Sequence, residues 1–509
     1  MVGVNLKVGN INLDKAQQQI IYDNSRYLLV TAGAGSGKTF TILGKIKYLV
    51  NDLKLSEKEI LCLTFTKNAA SSLSKKIKKE LLLNIDVYTF HKLSLDILTQ
   101  SNFEYSIAST NLLDDVTNKF FSIDIYKSEY LLDKICVFFH LPRKDTVKSY
   151  KSFYNNNYQG IEELEKLCIT FIRLLKCNNY SLNDFSYYLS RIRKTLNYFR
   201  YVKEKILLTF ILNIYIIYTT YLKDENEIDF DDMIIKATSL INNNGLDRKI
   251  KYVIVDEYQD TSYIRFLLIN AIVNKSNANL LVVGDDFQSI YRFTGCDISL
   301  FLDFKKYFAD AHIKRLEKTY RNSQELIEVA GKFVMKNKKQ IRKKLYSDKN
   351  LNNPIRIVFY RNIRKEFITI IKYLSENYSN SIMVLGRNNF DVYMLVCDDI
   401  KYINGKIIVR EYEFLDIDYM TVHKSKGLED NNVILINLLD KQFGFPNKLK
   451  DEKILRLVTK KYDNYLYSEE RRLFYVALTR TKNFTYLLVP KNNPSIFVQE
   501  LNNLIYKNK

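Results

Sequence analysis

The sequence has no tryptophan, four histidines, five prolines and six cysteines. The cysteines (Cys62, Cys136, Cys168, Cys177, Cys296 and Cys397) are scattered and form no CxxC pair. That spacing excludes a zinc ribbon or a cysteine-ligated iron–sulfur cluster and fits a reducing compartment such as the cytoplasm. The chain has no internal repeat, no low-complexity tract and no N-terminal signal-peptide pattern. One apolar run, residues 206–222 between Lys205 and Lys223, is short for a membrane span and carries Asn213 and three threonines. It reads as a core helix, so no membrane partner is expected.

What is present is apolar and basic. With 47% hydrophobic and 13% aromatic residues over 509 positions, wholesale disorder is excluded and three or four packing units are expected. The formal net charge is +20. Such a surplus suits a polyanion, since each Lys or Arg replacing a counterion releases it, but it also serves solubility. Charge alone leaves the two readings level.

Along the chain, short apolar strands are predicted at 27–31 and 60–64, then long helical patterns with few glycines over 93–224. Strand runs return at 252–255 and 279–283, and a second series at 355–359, 381–385, 432–436 and 485–489. The layout predicts an α/β fold: one parallel-sheet unit (1–92 and 225–313) with a helical insertion (93–224), then a second (314–509).

Leu28-Leu29-Val30-Thr31 runs into Ala32-Gly33-Ala34-Gly35-Ser36-Gly37-Lys38-Thr39. A strand, a glycine-rich loop and a helix start together make a phosphate cradle. Backbone N–H groups converge on phosphate oxygens, Lys38 reaches the terminal phosphates, and the Thr39 hydroxyl suits Mg²⁺. Ala32 stands where the general pattern has glycine. A second apolar strand ends in Asp256-Glu257-Tyr258-Gln259-Asp260. Adjacent acids at a strand's C-terminal end suit metal binding by Asp256 and water activation by Glu257. The two elements imply ATP and Mg²⁺ as cofactors.

Gly284-Asp285-Asp286-Phe287-Gln288-Ser289-Ile290-Tyr291-Arg292-Phe293-Thr294-Gly295 closely resembles the third motif of the Rep/UvrD/PcrA helicases of superfamily 1. Others follow in family order: Leu13 to Gln17, Thr64 to Ala70, Thr89-Phe90-His91, Phe230 to Met233, Tyr320-Arg321, Thr421 to Glu429, and Glu470 to Arg480. The resemblance runs from about residue 13 to 490, and the C-terminal part is most similar to helicase IV. It implies two RecA-like P-loop domains, 1A and 2A, with 93–224 as domain 1B.

By resemblance, Gln17 reads adenine, Tyr320 stacks on it, and Glu429 contacts the ribose. Arg321 and Arg480 reach the γ-phosphate from the far unit, and Gln288 couples the phosphate to DNA. Phe65, Tyr291 and Phe293 lie against bases, with Phe293 where the family usually has tryptophan; Thr64, Thr89 and His91 touch DNA phosphates. The large 2B subdomain of Rep and its kin has no room, because only a short connection (about 390–418) precedes Thr421. No separate nuclease motif is found.

The expectation is therefore an ATP-dependent DNA helicase with 3′→5′ polarity, acting on single strands and tailed duplexes in repair, replication or recombination. Two alternatives stand beside it. One is a single-strand translocase serving a nuclease-containing repair or phage-defence complex. The other is an ATP-gated nucleic-acid-binding switch, against which intact Lys38, Glu257, Arg321 and Arg480 speak.

Overall fold

The computed structural model describes residues 6–101, 105–181, 184–191, 198–377, 381–460, 463 and 465–506. The first sheet contains β1 (Tyr27–Ala32), β2 (Ile60–Thr64), β3 (Asp86–Thr89), β4 (Tyr252–Val255), β5 (Asn279–Gly284) and β6 (His312–Leu316). Its order is β6-β1-β5-β4-β2-β3, with every pairing parallel. The central strands are apolar on both faces because helices cover both. One core gathers Leu29, Leu61, Val253 and Leu280; the other gathers Leu28, Val30, Ile60 and Leu281.

The second sheet contains β7 (Ile355–Tyr360), β8 (Ser381–Gly386), β9 (Ile400–Ile403), β10 (Lys406–Val409), β11 (Asp416–Thr421), β12 (Asp430–Leu435) and β13 (Thr481–Pro490). Its order is β7-β13-β12-β8-β11-β10-β9. The first five strands pair in parallel, and the β9–β10 hairpin adds to the edge antiparallel. Between β8 and β11 lie a 3-10 turn (Asn389–Met394) and this hairpin.

Two boundaries move. Residues 313/314 fall inside β6, which pairs with β1 in the first sheet. Its residues, His-Ile-Lys-Arg-Leu, are mostly exposed at the sheet edge, so no apolar run marks the strand. Residues 92/93 fall inside the helix Phe90–Gln100, whose Leu93, Ile97 and Leu98 pack in the first unit's core.

The helical insertion has its own core around Phe120, Phe121, Phe171 and Phe210. The helix Tyr198–Asp224, long and apolar enough to cross a membrane, places Ile206, Leu207, Phe210, Ile211 and Ile214 in that core. A segment from the second unit joins it. The 3-10 turn Lys453–Leu457 buries Ile454 and Leu457 there, with Val458 beside them. Asn178 Nδ2 donates to the Val458 carbonyl (3.0 Å), and Arg456 pairs with Glu204 (3.2 Å). This strap ties the second unit to the helical insertion.

Candidate functional site: a nucleotide pocket between two sheets

The phosphate loop leaves β1 at its C-terminal end and turns through left-handed Gly35 (φ 68) and Gly37 (φ 76) into the helix Lys38–Asn51. Gly35 is crowded: a Cβ there would lie 2.5 Å from Arg321 Cβ, so only glycine lets the loop and the Arg321 segment approach. Ser36 Oγ is buried without a partner, an unsatisfied donor inside the cradle. Lys38 Nζ lies 2.7 Å from Glu257 Oε1.

Glu257 follows β4 in the left-handed region (φ 52), a strained position for a residue with a Cβ. The turn swings its carboxylate back over the loop. Burial raises the Glu257 pKa, but Lys38 and Lys426 overcome it and hold the carboxyl below its ordinary range. Burial and the adjacent Glu257 charge push the Asp256 carboxyl above its ordinary range. Gln259 bridges two strand ends: its Nε2 donates to Glu257 Oε2 (2.6 Å), and its Oε1 accepts from Asp285 N (3.0 Å).

The second unit meets the first beside this pair. Gln288 Nε2 donates to Asp285 Oδ2 (2.6 Å), while Gln288 Oε1 accepts from Arg480 Nη2 (3.1 Å). Arg480 is buried and also donates to the carbonyls of Val476 and Leu428. Burial, then the Arg321 charge, lower its pKa to about 9. Arg321 Nε pairs with Glu429 Oε2 at 2.6 Å. On the far side of the loop, Tyr320 N donates to the Gly35 carbonyl (2.9 Å) and its hydroxyl donates to Asp14 Oδ2 (2.7 Å). Gln17 Nε2 reaches the Gly37 carbonyl (3.4 Å), and Gln17 completes a capping box with Asp14. Gln17 and Tyr320 therefore flank Gly37, and Arg321 stands against Gly35.

The sequence-predicted DNA residues form two clusters. Tyr291, Phe293 and His423 meet ring to ring, with Phe293 58% exposed and 5.6 Å edge-on from His423. Phe65 is half-buried against Phe90 (5.5 Å), with the Arg265 guanidinium 5.0 Å over its ring. His91 packs on Phe230 at 5.3 Å. Thr64 and Thr89 are buried, the first bonded to the Thr66 carbonyl and the second capping the helix Phe90–Gln100.

The sequence reading missed Lys426, which pairs with Asp260 and donates to the Gln288 carbonyl (2.7 Å). It also missed Lys343, fully buried beneath the phosphate loop. Lys426 sits inside a quoted motif, but nothing separates Lys343 from its basic neighbours in the run 336–344.

Comparison with known proteins agrees with this architecture. Residues 13–309 match the UvrD/REP helicase N-terminal domain, and residues 405–492 match the UvrD-like helicase C-terminal domain. The chain belongs to the UvrD/REP helicase family. Members of this family are ATP-dependent DNA helicases on a P-loop NTPase fold. DNA helicase IV of Escherichia coli is 27% identical over 97% of this chain and 70% of its own length. ATP-dependent DNA helicase Rep of Buchnera aphidicola is 30% identical over 76% of this chain and 56% of its own. A probable DNA helicase of Mycoplasma pneumoniae is 25% identical over 94% and 83%. The chain thus spans about half the length of the Rep relative and more of the other two.

Proposed function

We propose that this chain is a cytoplasmic ATP-driven DNA helicase that moves 3′→5′ on single strands and opens tailed duplexes. The observation that carries the reading is the Arg480–Gln288 contact, which joins the second unit to the first beside the Lys38–Glu257 pair. Hydrolysis needs charge from both sides: Lys38 from the loop, and Arg321 and Arg480 from the opposite unit. Glu257, held ionised, orients and deprotonates the attacking water. Thr39 and Asp256 would hold Mg²⁺, which neutralises charge on the transferring phosphate; one carboxylate plus one hydroxyl is a donor set that Mg²⁺ accepts alongside phosphate oxygens. Gln17 and Tyr320 take the adenine, and Glu429 the ribose edge.

Gln288 and the Tyr291–Phe293 segment lie close in sequence, which supports coupling between a phosphate-dependent shift of Gln288 and the exposed Phe293 ring. Sequence-tolerant stacking on Phe293 and Tyr291 suits a motor that must accept every base. A second reading is a translocase motor within a nuclease-containing complex; the small β9–β10 hairpin in the connection before Thr421 supports it. Strand displacement by the isolated chain on 3′- and 5′-tailed duplexes separates the readings. Displacement of the 3′-tailed duplex alone supports the helicase. DNA-stimulated hydrolysis without displacement supports the translocase, and displacement of only the 5′-tailed duplex overturns the polarity.

A further inference from the structure

After the helix Gln324–Val334 the chain returns from the second unit to the floor of the phosphate loop. Leu345 sits so close under Gly33 that a Cβ there would lie 2.6 Å from its Cδ2. Two residues earlier, the Lys343 side chain is fully buried. Its Nζ donates to Asp285 Oδ1 (2.6 Å) and to the Ala32 carbonyl (3.1 Å), lies 2.6 Å from Asp286 Oδ1, and stands 4.1 Å over the Phe287 ring. A buried ammonium is stable only with such compensation.

The partners are not arbitrary. Ala32 opens the phosphate loop. Asp285 receives the Gln288 amide on its other oxygen, and Gln288 in turn accepts from Arg480. Asp286 is held from the same returning segment by Gln340 Nε2 (2.5 Å) and Ile341 N (2.9 Å). Arg472 continues this side by donating to Gln340 Oε1 (3.2 Å) and to the Ser289 carbonyl (2.6 Å). One cation therefore fixes the carboxylate that orients Gln288 and pins it to the first residue of the loop.

We infer that Lys343 is a positioning residue for ATP hydrolysis, acting through Asp285 to hold the Gln288 amide in register with Arg480. The inference rests on the ATPase reading above. Lys343, buried beneath the loop, sets where Gln288 points, and a displacement of about 1 Å at such a group costs on the order of 10²-fold in rate.

Lys343→Met alone strands two buried carboxylates, so the deciding variant is Lys343→Met with Asp286→Asn, which leaves the net charge of the Lys343–Asp285–Asp286 trio unchanged. We expect this protein to melt cooperatively and to bind ATP nearly as the parent does. Its DNA-stimulated kcat should fall about 10- to 100-fold, with Lys343→Arg recovering part of the loss. In a Gln288→Ala background the same double change should alter single-turnover hydrolysis by less than about twofold, because both act on one step. Parental kcat in the double variant, an equal loss in the Gln288→Ala background, or loss of the cooperative melt would each overturn the inference and make Lys343 part of the fold alone. A parent chain without ATPase activity would overturn the motor reading as well.

Discussion

Arg480, from the end of the helix Ser468–Leu478, reaches across to Gln288 of the other unit at 3.1 Å. Neither is anchored by this contact alone: Arg480 is tied to the Val476 and Leu428 carbonyls, and Gln288 to Asp285. The contact thus links two independently braced groups. Arg480→Ala should lower DNA-stimulated ATP turnover by about 10³-fold, the scale of an arginine finger. It should also weaken ATP-driven closure of the units, read as loss of the ATP-dependent change in DNA affinity. Turnover within a few fold of the parent would remove Arg480 from the site.

The aromatic residues separate by burial. Phe293 is exposed and meets the Tyr291 and His423 rings edge-on. Phe293→Ala should leave the melt unchanged and weaken single-strand binding by ~1–3 kcal/mol. Phe65 supports Phe90 and Arg265, so Phe65→Ala should lower stability as well as DNA-stimulated turnover. Unaltered DNA affinity in the Phe293 variant, measured by fluorescence anisotropy, would move the track elsewhere.

The site was legible where chemistry demands local residue types. The phosphate loop, Asp256-Glu257 and the third motif are contiguous, and strands 60–64 and 252–255 lie where their apolar runs place them. Features made by distant partners were not legible. The strand β6 lacks an apolar pattern because it is an exposed edge. Lys343 looks like any residue of a basic run until the fold buries it. The strap Lys453–Leu457 has a short apolar pattern whose meaning depends on a surface contributed by the helical insertion.

That strap can be tested directly. Leu457→Asp removes ~1.5–3 kcal/mol of apolar burial and places a charge in a dry core, enough to raise the undocked population about tenfold or more. Trypsin should then cut sooner at Lys450, Lys453 or Arg456, with the phosphate-loop unit still binding ATP. An unchanged cleavage pattern would mean that the second unit does not need this contact.

His423 should make stability pH-dependent. Burial, with Arg387 and Lys426 nearby, pushes its imidazole down to about 4. The unfolded chain takes up this proton near the ordinary value of about 6.5, so the group's contribution is intact above that pH and is lost as pH falls toward 4. His423→Gln removes the effect, so the parent's Tm should drop relative to the variant's between about pH 7 and about pH 5. A constant difference would contradict the burial of a neutral ring.

The account's central claim is that Lys38 and Glu257 of one unit, with Arg321 and Arg480 of the other, form a single DNA-gated ATPase. Its most direct test is steady-state ATP hydrolysis against single-stranded DNA concentration for the parent and Glu257→Gln. Glutamine keeps the size and polarity of the side chain but cannot take the proton from water. The parent should be strongly stimulated by DNA, and Glu257→Gln should bind ATP yet turn over ~10²–10⁴-fold more slowly at every DNA concentration. Near-parental hydrolysis by Glu257→Gln, or a parent indifferent to DNA, would contradict the account.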